Sequence, residues 1–173
     1  MTGPSRYTGL LRVDRRTTSS GVSTNATVSY DEGAAIGYRY YDAKGLSPQF
    51  PFGYGLSYTT FAHGSLEATY NASTRTVSLT VTVTNNGSRR GTDVVQIYAT
   101  LPAAAATVEP RRLAAFRKLT LASGAKQRTT CTIPADDLSI WHAGNWTLVP
   151  GLYTFATARN SRAMTVQRTL TIR

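Results

Sequence analysis

The sequence holds little that could do covalent chemistry: two histidines, His63 and His142, one cysteine, Cys131, and nine carboxylates. Nucleophilic catalysis needs a hydroxyl or thiol beside a base that a third group orients. Neither histidine lies in such a setting, and Gly53-Tyr54-Gly55-Leu56-Ser57 does not match the Gly-x-Ser-x-Gly elbow. Both histidines therefore read as surface or loop residues. Glycoside hydrolysis needs two acids facing each other across a sugar. Asp31, Glu32 and Asp42 form the only acidic cluster with aromatic neighbours. Adjacent residues of a strand point to opposite faces, so Asp31 and Glu32 do not make the pair by themselves. The carboxylates show no zinc or calcium spacing, and Asp136-Asp137 reads as the cap of a short helical turn. Gly33-Ala34-Ala35-Ile36-Gly37 lacks the phosphate-loop pattern. The expectation is a chain with no catalytic residue, no metal and no cofactor.

Cys131 stands alone, which rules out an intrachain disulfide and a cysteine-based metal site. Alternation along Gln127–Ile133 puts Cys131 on the face of Ile133, as a buried structural thiol. Binding chemistry has better candidates. Trp141, Trp146 and the Tyr38, Tyr40 and Tyr41 group are candidate platforms for stacking on sugar rings, although the two tryptophans would equally serve to cap a core. Asn25, Asn71, Asn86 and Asn145 each open an N-glycosylation sequon, so four of the six asparagines qualify. That excess points to an extracellular protein, against the alternative that Thr-rich β-sequence inflates the number. Met1 to Val13 contains no apolar run of signal-peptide length.

The elements that would position these groups follow from composition and period. The 173 residues include 27 Thr, 14 Ser and 14 Gly, a balance that favours strands and turns over helices. No run of 18 apolar residues exists to cross a membrane as a helix. The net charge of +10 comes mostly from arginines scattered as pairs, such as Arg89-Arg90, with no basic helix or RNA-binding motif. A generally basic surface follows, and neither nucleic acid nor membrane is expected as a partner.

Three regions stand out. Residues 1–27 are an irregular lead-in. Residues 28–61 carry nine aromatics, glycines and two prolines between Tyr30 and Phe61, a composition that can be held firmly without regular structure if a surface is available. That surface is either the following domain or something outside this chain. Residues 62–173 read as all-β. Thr76–Thr84 alternates strictly, with Val77, Leu79, Val81 and Val83 facing a core, and Asp93–Ala99 is apolar on both faces, as a central strand would be. Further strands are expected at 113–121, 127–133, 153–158 and 164–172, with a low-complexity loop over 101–110. Roughly seven strands at this spacing indicate a β-sandwich of immunoglobulin-like, fibronectin type III-like architecture.

Several blocks also carry a resemblance. Tyr30-Asp31-Glu32-Gly33-Ala34-Ala35-Ile36-Gly37-Tyr38-Arg39-Tyr40-Tyr41-Asp42 and Phe50-Pro51-Phe52-Gly53-Tyr54-Gly55-Leu56-Ser57-Tyr58 occur in order. Val81-Thr82-Val83-Thr84-Asn85-Asn86-Gly87, Val94-Val95-Gln96-Ile97-Tyr98, Pro110–Phe116 and Pro150-Gly151-Leu152-Tyr153 follow them. Together they resemble the C-terminal region of family 3 glycoside hydrolases, the β-glucosidases and β-xylosidases. The resemblance implies that 28–61 is the remnant of an α/β sandwich domain and its linker, and that 62–173 is a fibronectin type III-like domain. In that family the nucleophilic aspartate and the acid/base glutamate lie in regions before these blocks, so no catalytic role passes to Glu32. The implied function is a non-catalytic accessory domain that docks onto and stabilises a secreted hydrolase. The alternative is a carbohydrate-binding module that holds polysaccharide. Partners are then the catalytic domains, a second copy, or polysaccharide. The segment Ala158-Arg159-Asn160-Ser161-Arg162 departs from the family's glycine- and serine-rich ending.

Overall fold

The computed structural model describes residues 12–15, 26–29, 33–106 and 111–173. In chain order, β1 (Arg12–Arg15) and β2 (Ala26–Ser29) pair antiparallel, followed by the six-residue helix α1 (Tyr38–Ala43). Then come β3 (Phe61–Asn71), β4 (Thr76–Asn85), β5 (Gly91–Thr100) and a helical turn α2 (Ala103–Ala106). β6 (Arg111–Leu121) and β7 (Lys126–Pro134) lead into a 3-10 turn, Ala135–Leu138. A small hairpin of β8 (Ile140–His142) and β9 (Asn145–Thr147) precedes β10 (Gly151–Ala158) and β11 (Met164–Ile172).

Seven of these strands form the expected sandwich. One sheet has the order β11-β10-β5-β6 and the other β3-β4-β7. The alternation of β4 buries Val77, Leu79, Val81 and Val83 against Val95, Ile97 and Phe155 of the facing sheet. Each such side chain contributes roughly 1.5–3 kcal/mol on burial. Cys131 lies buried on β7 in the position its alternation with Ile133 foretold, and burial pushes its thiol pKa up.

Four details differ from the sequence reading. The lead-in is not wholly irregular, because β1 and β2 pair across it. The 28–61 region is not free of regular structure, since it contains the end of β2 and α1. The alanine run expected to be loop makes the turn α2, in keeping with alanine's helix propensity. Asp136 does not cap the 3-10 turn: Pro134 occupies that place without a side-chain bond, and the Asp136 carboxylate instead meets the Arg75 guanidinium at 2.6 Å.

β5 decides where the aromatic segment goes. Val95, Ile97 and Ala99 point inward, so period two turns Gln96 and Tyr98 outward, yet both are buried. What covers them is α1 with the segment that follows it, Tyr38 against Tyr98 and Gly53 against Gln96. The surface it needs is therefore the sandwich that follows it in the chain.

Candidate functional site

The seam between segment and sandwich is built on Tyr98. Its hydroxyl donates to Gln96 Oε1 at 2.8 Å, and the Tyr38 ring meets it edge-on, 5.8 Å between centroids at 87°. Burial, reinforced by the neighbouring Tyr38, pushes the Tyr98 phenol pKa far above its ordinary value. The Arg111 guanidinium lies 5.7 Å over the same ring and reaches Asp42 at 2.5 Å. Asp42 also takes Arg162 at 2.8 Å, so one carboxylate on α1 ties β6 to the β10–β11 loop. The Leu113 N–H donates to the Tyr38 hydroxyl at 2.8 Å, and the Ser161 N–H donates to the Phe52 carbonyl at 2.8 Å. Gly53 runs at φ 82° directly over the Gln96 amide, where a Cβ would collide with it. At the end of the segment Thr59 donates to buried Asn85 Oδ1 at 2.6 Å, and the Asn85 amide donates to the Arg89 and Leu121 carbonyls. Every polar capacity of Asn85 is used, as burial demands.

The outer side of the same segment is apolar and uncovered. Ile36, Phe50, Phe52 and Tyr54 are exposed, and Leu56 and Tyr58 are 91% and 95% exposed. Of the candidate stacking tyrosines, Tyr38 is thus part of the seam. Tyr40 and Tyr41 are half-buried and meet each other edge-on at 6.1 Å.

The tryptophans sit elsewhere. In the β8–β9 register Trp141 faces Trp146, with Ile140 opposite Thr147. Ile140 is buried, so the tryptophan pair projects from the other face of the hairpin, away from the core. The rings are 56% and 70% exposed, with centroids 5.6 Å apart and planes at 70°. They do not cap the sandwich. Trp146 borders a groove of about 640 Å³ whose other walls are Arg75, Arg112, Asp136, Asp137, Ser139 and Leu148.

Of the sequon asparagines, Asn71 ends β3, Asn86 lies in the β4–β5 turn and Asn145 opens β9, all exposed; Asn25 lies outside the described residues. His142 is exposed across from Asn145. His63 is not the surface residue its isolation in sequence suggested. Its side chain is fully buried where the sheets meet, with Nε2 2.9 Å from Asp93 Oδ2 and Nδ1 3.0 Å from Thr165 Oγ1. A β-bulge between His63 and Leu66 sets this placement, and sequence reasoning had no signal for a partner 30 residues away. Among the described residues, no three His, Cys, Asp or Glu side chains gather to hold a metal ion.

This geometry is that of a fibronectin type III-like domain, and the family description of that name matches residues 93–161. The β-glucosidase cel3A of Pyricularia oryzae is 33% identical over 165 residues, covering 83% of this chain and 23% of that protein. β-Glucosidase B of Emericella nidulans is 38% identical over 143 residues, covering 80% and 17% respectively. Among solved structures, the GH3 β-glucosidase of Bifidobacterium adolescentis superposes with a TM-score of 0.80 at 30% identity, covering 91% of this chain and 24% of that one. The resemblance to the C-terminal region of family 3 glycoside hydrolases therefore holds, and the chain carries their fibronectin type III-like domain. It spans about a fifth of the length of the curated relatives it matches.

Proposed function

We propose that the chain is a non-catalytic accessory module of a secreted β-glycosidase, docked onto the catalytic domains through the outer side of residues 36–58. The observation that carries this reading is the distribution of exposed apolar side chains. They concentrate on a segment whose inner side is already anchored by Tyr38, Asp42 and Gly53. A contiguous apolar patch on an otherwise polar surface marks an interaction site. The relatives, which are several times longer, supply the kind of body that such a patch would cover. In this reading bond cleavage belongs to those larger domains, and residues 33–106 and 111–173 contribute stability and orientation. Glycosylation at Asn71, Asn86 and Asn145 fits the same setting, since each is exposed.

The test is the size of the native protein, by immunoblot of secreted and cellular fractions with an antibody raised against residues 62–173. A secreted band several times larger than 18.7 kDa, shifted by an N-glycosidase, is the expected result. A band near 18.7 kDa would overturn docking in cis and leave a free-standing module.

A further inference from the structure

We propose that the Trp141–Trp146 hairpin and the groove beside it bind a single soluble oligosaccharide chain, at a site separate from the docking face. Four observations carry this. First, two indoles stay in water although each is among the largest apolar surfaces a side chain can bury. The register places them off the core, so the sandwich gains nothing from their size. Second, the hairpin that holds them is stiff. Ala143 and Gly144 both have positive φ, 48° and 82°, the pattern of a two-residue type I′ turn, which locks the pairing and hence the ring positions. Ala143 adopts this conformation without the freedom of glycine, a local strain that the rest of the structure must sustain.

Third, the groove beside Trp146 is polar on its far wall. Arg75 and Asp136 pair there, and Asp137 stands next to them. Arg75 is itself held at φ 51°, and its carbonyl accepts the Ala135 N–H at 2.8 Å. A largely exposed donor and acceptor thus share the groove with an aromatic ring. Its volume of about 640 Å³ is on the scale of small-molecule sites, roughly 300–1,000 Å³.

Fourth, the pairing of these surfaces selects a chemistry. A pyranose ring offers an apolar face of C–H groups and a rim of hydroxyls that both donate and accept. An indole takes the face, while a carboxylate and a guanidinium take the rim. The 70° between the indole planes sharpens the choice. Two rings so inclined do not lie flat together on a crystalline polysaccharide surface. They suit a free chain that turns between one sugar and the next.

Calorimetric titration of the 173-residue chain tests this, with the protein made in a host that does not N-glycosylate, so that Asn145 is bare. The probes are cellohexaose, laminarihexaose and xylohexaose. The expected result is saturable binding of at least one hexaose, weakened about tenfold or more by Trp146→Ala, as for other central aromatic anchors. Trp146→Phe should restore part of that loss, which separates ring stacking from misfolding. Phe116→Ala, an exposed aromatic on β6, should leave affinity unchanged. Crystalline cellulose should not retain the protein. The proposal is overturned if no hexaose binds, or if Trp146→Ala and Phe116→Ala have equal effects. Retention on crystalline cellulose through Trp146, or a dimer that Trp141→Ala dissolves, would overturn it as well. None of these outcomes depends on whether the 36–58 face docks.

Discussion

The segment around α1 and the β8–β9 hairpin are alike in composition and opposite in what the fold does with them. Both are short, aromatic and contain glycine. The first is fastened on its inner side by a carboxylate shared between two arginines, a tyrosine hydroxyl on a backbone N–H and a glycine pressed on an amide. The second is anchored through buried Ile140 and shaped by its own turn, and its rings face outward. Aromatic content alone therefore does not say what a region binds. The polar groups that accompany the rings decide whether they become a seam within the molecule or a surface offered to something else.

Mutations should separate the two regions by the size of their effect on stability. Tyr98→Ala removes the floor shared by the seam and β5, and should cost about 3–5 kcal/mol in chemical denaturation. A cost under 1 kcal/mol would mean that the segment is not packed on the sheet. Asp42→Asn leaves Arg111 and Arg162 without their anion in a half-buried setting and should cost about 1.5–3 kcal/mol, the range for hydrogen bonds to charged groups. Tyr98→Phe should cost about 1 kcal/mol through loss of the bond to Gln96, and it should also alter the alkaline limb. The folded Tyr98 phenol titrates above its ordinary value of 10.0, so the native state keeps a proton that the unfolded state loses. Stability should be level below that value and fall as pH rises above it. The Phe variant should fall less steeply, with Tyr153, also shifted upward by burial, sustaining the remainder. Circular dichroism melts between neutral and strongly alkaline pH would check this. Smallest of all, Trp141→Ala and Trp146→Ala should change the melting free energy by no more than about 0.5 kcal/mol. A larger loss would place the hairpin with the seam rather than apart from it.

The sandwich was legible because its strands announce themselves locally. Val77 to Val83 keep period two, and the double apolarity of 94–99 names β5 as central. What escaped the sequence depends on long-range partners. Asp136 reads as a cap until Arg75, 61 residues earlier, is brought beside it. His63 reads as a loop residue until Asp93 closes on it. Trp141 and Trp146 read in sequence as core cap or as platform, and one fact of register, that Ile140 takes the inner side, sets them off the core. Helix α1 has no side-chain cap and no buried residue to signal it, so only docking explains its existence.

The order of the sheets gives the scattered cations a meaning. β6 and β7 are edge strands, and they carry exposed Arg117, Lys118, Lys126 and Arg128. An unpaired edge is a template for another chain, and lysine or arginine along it makes that approach repulsive. These cations thus oppose sheet extension at two of the sandwich's open edges, with Arg128 also paired to Glu67. That protection weakens as salt shortens the Debye length from about 10 Å at 0.1 M to about 3 Å at 1 M.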